Sequence, residues 1–307
     1  MPTDKIQELN ARFAIADHVS FAAGPGGLPI ATVRNGHALG TISLQGAHVT
    51  AFQPRGQDPV LWVSNQAVYA PGKAIRGGIP VCWPWFGPHP TDPTKPDHGF
   101  VRARPWTVRG TAALEDGATE VQLGLADDED TRAIWPYAFD LQLTVSVGPT
   151  LQVALLARNT GSETFVCGGA LHSYFVVGDV TSIAIDGLDG CEYVDKVDGG
   201  LTKVQEGAVT ISAETDRVYE ETTTSCAIGD PVMGRRIVVT KEGSRSTVVW
   251  NPWRDKARRL TDFGADEYTQ MVCVEVANAL DDAVTLVPGD EHQLETTVAV
   301  ELLEHNA

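Results

Sequence analysis

Phe139-Asp-Leu-Gln-Leu-Thr-Val145, followed closely by Leu151-Gln-Val-Ala-Leu155, decides the fold class. Every second residue is apolar in both runs. A period of two sends successive side chains to opposite faces, so each run reads as a strand buried on one side. The pattern recurs outward in both directions. It is found at Gly40-Thr-Ile-Ser-Leu44, Val121-Gln-Leu-Gly-Leu125, Val180-Thr-Ser-Ile-Ala-Ile185 and Ile237-Val-Val-Thr240. It continues through Ser246-Thr-Val-Val-Trp250, Met271-Val-Cys-Val-Glu-Val276 and Leu294-Glu-Thr-Thr-Val-Ala-Val-Glu-Leu302. Turn signals punctuate these runs at Pro25-Gly26-Gly27, Asp116-Gly117, Asp198-Gly199-Gly200, Glu242-Gly243 and Pro288-Gly289-Asp290. Helical patterns are confined to Ile6 to Phe13 and a turn over Asp255 to Leu260. Parallel strands need crossover helices, which argues against a doubly wound α/β fold or an α/β barrel. The expected fold is all-β, a large antiparallel β-sandwich, as one domain over residues 1–307.

The 307 residues are 43% hydrophobic and carry 23 Lys and Arg against 40 Asp and Glu, a formal net charge of −17. Such a field repels polyanions, so nucleic acid and anionic membrane surfaces are excluded as general partners. A small anion held by a local group of Arg and Lys stays compatible. No stretch approaches the roughly 20 apolar residues of a bilayer span, and the first 20 residues lack a basic start followed by an apolar run. The expected location is cytoplasmic, and the expected state is a monomer. Five cysteines without a CxxC pair support neither a disulfide framework nor a structural zinc site. The strand-poor stretch from Val63 to Asp97 reads as functional or braced by packing, its aromatic content favouring a braced surface. Asp127-Asp128-Glu129-Asp130 lacks the spaced ligands of a calcium loop and reads as a solvated hairpin tip.

Four clusters carry chemistry. In Lys73-Ala-Ile-Arg76-Gly-Gly-Ile-Pro80-Val-Cys-Trp83-Pro-Trp85-Phe86-Gly87, glycines allow close backbone approach and Arg76 offers a fork of donors. Trp83 and Trp85 supply flat apolar area suited to a sugar face or to a sandwich edge. In His98-Gly-Phe-Val-Arg102, the imidazole is placed to donate to a sugar hydroxyl or to serve as a polar rim residue; Arg102 is expected on the same strand face as Phe100. His172, within Leu171-His-Ser-Tyr-Phe175, sits in an apolar strand-like segment that could tune it for proton transfer or satisfy it with one carbonyl. Glu275 shares strand parity with Met271 and Cys273, so a carboxylate lies on an apolar face, either exposed on an edge strand or buried and tuned as a base. Asp195 and Lys196, Arg217, and Asn251-Pro-Trp253 are strand-end or turn groups suited to a pocket or to surface ion pairs. No HExxH or compact His and carboxylate set appears, so no metal is expected.

In these clusters the chain resembles the hexose-6-phosphate mutarotases, or glucose-6-phosphate 1-epimerases, of the aldose 1-epimerase and galactose mutarotase-like superfamily. The resemblance is carried by Arg76 to Gly87, His98 to Arg102, Leu171 to Phe175, Glu214-Thr-Asp-Arg-Val-Tyr219, Ser244-Arg-Ser-Thr-Val-Val-Trp-Asn-Pro-Trp253 and Val272-Cys-Val-Glu-Val-Ala-Asn278. These occur in family order from about residue 30 to about residue 300. The resemblance implies a β-sandwich of the galactose mutarotase type, acting without cofactor on the anomeric carbon of a sugar phosphate such as glucose 6-phosphate. It assigns His172 as general acid and Glu275 as general base. It further implies a phosphate region carried to Arg76, Arg102 and Lys73, a sugar-hydroxyl ligand at Asp195, and an orienting role for His98, with Trp85 as a sugar-facing ring. An anionic substrate on a chain of net charge −17 requires a locally cationic mouth. The rim from Pro88 to Asp97, and with it the sugar preference, is left unassigned. A noncatalytic carbohydrate-binding or sensing protein on the same scaffold and a mutarotase for neutral aldoses are the alternative readings.

Overall fold

The alternating runs are strands. Phe139–Val147 and Leu151–Asn159 pair antiparallel with Val145 opposite Val153, and burial alternates along both. The computed structural model describes residues 2–303. One eight-stranded sheet has the order Ala184–Asp186, Cys226–Asp230, Arg235–Glu242, Glu291–Leu302, Leu151–Asn159, Phe139–Val147, Thr119–Ala126, Thr107–Ala113. A second runs Leu201–Val204, Glu192–Asp195, Thr215–Tyr219, Ser246–Asn251, Met271–Asn278, Gly169–Leu171, Val81–Cys82, with Tyr174–Val176 also pairing on Met271–Asn278. A four-stranded sheet over Val19–Ala23, Pro29–Arg34, Ala38–Ser43 and His48–Pro54 completes the main framework. The named ladders are antiparallel, so the fold is the large antiparallel sandwich read from the sequence. Among the described residues no helix is long and apolar enough to cross a bilayer.

Strand alternation divides the second sheet into two unlike faces. Val272, Val274 and Val276 point into the principal core with Val249 and Tyr219, where they meet Leu141, Leu143 and Val298 of the first sheet. Cys273 and Ala277 point the other way. There they join Trp250, Tyr174 and Met271 in one small cluster and Val248, Val218, Cys82 and Ala170 in another. Burying each Val or Leu on the core side contributes about 1.5–3 kcal/mol, so that face holds the sandwich together. The opposite face is covered by loops and is free to carry function.

Three local expectations need correction. Only Ala184–Asp186 of the Val180 run is a strand. Asp179 closes a turn by accepting from the Thr181 N–H and hydroxyl, 2.9 and 2.8 Å, and the buried Val180 and Ile183 merely imitate alternation. The acidic run at 127–130 is not a hairpin tip. Asp128 caps the helix Glu129–Ile134 through a reciprocal bond with Thr131, which satisfies orphan N–H groups at the helix start. Arg102 lies in a short 3-10 turn, Val101–Ala103, not on a strand with Phe100. The two helices expected from the sequence are Pro2–Phe13, which starts earlier than expected, and Trp253–Ala257, which lies nearer the N-terminus than expected. The Val63-to-Asp97 stretch holds only the two-residue strand Val81–Cys82. Backbone bridges from Val63 to Gly77 and from Val49 to Ile79 brace it.

Candidate active site

Leu171 lies opposite Val276 and Tyr174 opposite Cys273, so the intervening register sets His172 across from Glu275. Parity turns both onto the loop-covered face. His172 Nε2 stands 3.3 Å from Glu275 Oε1. Both are sealed: His172 is 7% exposed and Glu275 1%. The backbone beneath the imidazole is pinned, since the His172 main-chain N–H donates to the Pro80 carbonyl at 3.1 Å. The Tyr174 ring stacks on it at 4.7 Å with an interplanar angle of 9°. His172 Nδ1 and Glu275 Oε2 are buried without a hydrogen-bond partner. Buried polar atoms are ordinarily satisfied, so two orphans in one place mark a site prepared for a polar ligand.

Burial holds the Glu275 carboxyl well above the usual carboxylate range; Asp216 adds to the rise, while Lys196 and Arg102 oppose it. Burial also holds His172 well below its ordinary value, aided by His98, Arg102 and Arg76. Both effects favour an uncharged pair. Such a pair carries one proton, on Glu275 or, after transfer across the short gap, on His172. Cys273 brings a thiol to the same place, and the His172, Cys273 and Glu275 donor atoms lie within 4.8 Å of one another. Among the described residues this trio is the set able to take a metal. Burial and the neighbouring Glu275 push the thiol pKa well above its usual value, so Cys273 stands there as a protonated, apolar neighbour.

A cleft of about 480 Å³ adjoins the pair and is lined by Lys73, Arg76, Arg102, Tyr174, Arg259 and Asp262, among others. Four cations face one carboxylate, a local balance of +3 against the global −17. Arg76 is aimed by its partners. Its Nε and Nη2 donate to Asp262, each at 3.2 Å, and Nη1 donates to the Tyr174 hydroxyl at 3.2 Å. The backbone beneath is fixed by His48, wholly buried, whose Nε2 donates to the Gly77 carbonyl at 2.6 Å. Burial brings the pKa of His48 down to about 4, so it is a neutral donor at physiological pH.

The loop after Val81–Cys82 folds over the other side of the pair. His98 meets His172 edge to face at 5.6 Å and Phe86 at 4.9 Å. Burial, together with Arg102, Lys196 and Arg76, brings the pKa of His98 down to about 3. Its Nδ1 accepts the Gly87 N–H at 3.3 Å, which assigns the proton to Nε2 and makes His98 a neutral donor. Lys196 lies over the Phe86 ring at 5.0 Å.

Thus the fold brings together six of the eight residues expected from the sequence: His172, Glu275, Arg76, Arg102, Lys73 and His98. Asp195 is not brought there. It pairs in register with Arg217, which faces Val249, and so turns toward the core side. Its oxygens are also committed, Oδ2 to Lys203 at 2.8 Å and Oδ1 to the Val197 and Asp198 N–H groups. Trp85 is a brace rather than a sugar-facing ring. Its indole donates to the Pro96 carbonyl at 2.9 Å and its ring is wedged against His89 and Phe100; Phe86 takes the place beside His98. Lys196, read from the sequence only as a strand-end group, is brought over the Phe86 ring beside His98. Sequence reasoning missed Asp216, Tyr174, Asp262 and Arg259. For Asp216 the signal was parity, since it is the strand neighbour of Arg217, which was singled out. For Asp262 and Arg259, on a loop nearly 200 residues from Arg76, no local signal exists.

Comparison with known proteins agrees with this geometry. The aldose 1-epimerase family profile matches residues 29–299. A protein of Cenchrus ciliaris provisionally named as a glucose-6-phosphate 1-epimerase is 35% identical over 280 residues, covering 87% of this chain and 83% of that one. An Escherichia coli K12 protein of the same provisional name is 36% identical over 253 residues, 82% and 84% of the two chains. Among solved structures, a provisionally assigned mutarotase, YeaD, from Salmonella typhimurium superposes with a TM-score of 0.88 at 31% identity, over 97% of this chain and 99% of that one. With matches of this extent the chain belongs to the aldose 1-epimerase family, on the galactose mutarotase-like fold.

Proposed function

We propose that the protein interconverts the α and β anomers of glucose 6-phosphate and related aldohexose 6-phosphates. The observation that carries this reading is that Tyr174, which lines a cleft of four cations, stacks on His172 of the sealed His172–Glu275 pair. The pair supplies one acid and one base, and the cleft suits a phosphate carried near the ring oxygen. The names borne by the relatives point the same way.

Ring opening follows from the one-proton pair in its imidazolium and carboxylate form. Glu275 takes the proton from the C1 hydroxyl, the C1–O5 bond breaks, and its electron pair goes to O5. His172 protonates O5 as the C1=O1 double bond forms. Rotation about C1–C2 presents the other carbonyl face. O5 then attacks C1, His172 recovers its proton, and Glu275 returns its proton to O1. The proton count is unchanged after each cycle. His98 orients a sugar hydroxyl through Nε2–H. Arg76, Arg102 and Lys73, joined by Arg259, hold the phosphate.

Saturation-transfer NMR of glucose 6-phosphate, with glucose and galactose in parallel, tests the proposal. Protein-dependent anomer exchange of the phosphate is expected above the spontaneous rate. Glu275→Gln and His172→Asn should each lower it by about 10²–10⁴-fold, the usual contribution of general acid–base groups. Exchange of the free sugars alone would sink the phosphate assignment. Binding without exchange would move the reading to a carbohydrate-binding protein.

A further inference from the structure

Resting on the acid–base reading above, we infer that Lys196 is a positioning residue for Glu275: its ammonium, lodged over the Phe86 ring beside His98, steadies the carboxylate form of the base. The Lys196 N–H donates to the Asp216 carbonyl at 2.9 Å, so the strand register runs one residue past Asp195. Asp216 lies opposite Trp250, and Trp250 opposite Cys273, two residues before Glu275. Lys196 therefore rises from the same face as Glu275, three strands away, or about 14 Å at about 4.8 Å per strand. Its long apolar stem lets the charged head lean over that face. The head is found 5.0 Å from the Phe86 centroid, an arrangement in which the ring quadrupole attracts the cation. Phe86 in turn contacts His98, and His98 contacts His172.

Two further observations single out Lys196. Among the described residues it makes no ion pair, whereas Lys256 is tied to Glu214 at 3.0 Å and to Asp216 at 3.6 Å, and Arg76 is tied to Asp262. Arg102 acts on both members of the catalytic pair, so its effects partly cancel, while Lys196 is among the groups that favour the charged form of Glu275 and the neutral form of His98. The charged and titratable groups around Glu275 are His172 across the ladder, Tyr174 on the same neighbouring segment, Cys273 on its own strand, Asp216, Arg102, Cys82 and Lys196. Of the two cations in this set, Lys196 is the one borne on the sheet face that carries Glu275. A seated sugar would cover the exposed ammonium and strengthen its influence by displacing water.

The test is a pH titration of the Glu275 carboxyl by ¹³C NMR, assigned by its loss in Glu275→Gln, in the wild-type protein, Lys196→Met and Lys196→Arg. Rate against pH for glucose 6-phosphate is measured on the same samples. Lys196→Met is expected to move the carboxyl midpoint and the acid limb of kcat/KM upward by several tenths to about one pH unit. Lys196→Arg should restore both, and high salt should bring the wild-type protein toward Lys196→Met. An unmoved midpoint overturns the inference. So does a rise in KM with an unmoved acid limb, because it would make Lys196 a plain substrate anchor. A shifted midpoint in a wild-type protein that exchanges no anomers would overturn the reading of function and leave this inference standing.

Discussion

Glu275 is 1% exposed and one of its oxygens has no partner, so the protein folds around a group that would be better solvated in the unfolded chain. The sign of the resulting pH dependence is fixed by the direction of the shift. In the unfolded chain the carboxyl ionises near its ordinary 4.5; in the folded protein it keeps its proton to a much higher pH. As pH rises through that window the unfolded state has released a proton that the folded state retains, so stability owed to this group falls. Gln cannot ionise. Glu275→Gln should therefore gain stability over the wild-type protein, and the gain should widen as pH rises above 4.5. The gain should grow by about 1.4 kcal/mol for each pH unit over which the unfolded carboxyl is ionised and the folded one is not. Urea unfolding at a series of pH values reads it, and a constant or shrinking difference would contradict the burial argument. The same residue was legible in the sequence because a carboxylate sharing parity with Met271 and Cys273 is costly unless it has a task. Asp195 misled because a hydrogen-bonding turn can occupy a carboxylate as fully as a sugar can.

At the scale of elements, the site depends on a backbone turn that brings Arg76 and His172 into register with each other. Gly77 and Gly78 take φ of 111° and 64°. A Cβ on Gly78 would lie 2.3 Å from the Val49 carbonyl oxygen and 2.9 Å from His48 Nε2, so close approach as well as positive φ demands glycine. The Gly78 carbonyl accepts from the Tyr174 N–H at 2.9 Å, and the Pro80 carbonyl accepts from the His172 N–H at 3.1 Å. Gly78→Ala should cost about 2 kcal/mol or more, from backbone strain and displaced neighbours. It should also weaken sugar-phosphate affinity, because the Tyr174 hydroxyl and Arg76 would separate. Thermal unfolding and binding measured together check this; a stable variant with unchanged affinity would mean that the turn is merely permissive. The long strands were readable because their period survives in sequence. The Val63-to-Asp97 stretch was readable only as braced, since its bridges reach residues outside it, as Val49 does for Ile79. The 3-10 turn at Val101–Ala103 shows the limit of parity arguments: alternation means nothing where the backbone is not extended.

For the whole molecule, the question is how a chain of net charge −17 would admit the dianion proposed as its substrate. Long-range repulsion acts on every approach, and attraction acts only within the cleft, where Lys73, Arg76, Arg102 and Arg259 face Asp262. The net charge could be read from composition, but this local reversal could not, because Arg259 and Asp262 join Arg76 only through tertiary packing. The two fields respond differently to salt. At about 0.1 M ionic strength the screening length is about 10 Å, so the envelope is screened before contacts within the cleft are. Small anions, however, compete directly for the cleft. Inert chloride at low concentration should therefore change the KM for glucose 6-phosphate little or lower it slightly, as the repulsive envelope is screened. Sulfate should raise that KM competitively, about two-fold at a concentration equal to its own dissociation constant and several-fold above it, without altering kcat. Free glucose places no phosphate in the cleft, and its exchange should be insensitive to sulfate. Steady-state anomerisation with both sugars across a sulfate series makes the comparison within one preparation. Equal inhibition of both sugars would mean that the anion blocks the His172–Glu275 pair itself, and the cleft would then have to be reassigned from a phosphate seat to a general anion trap.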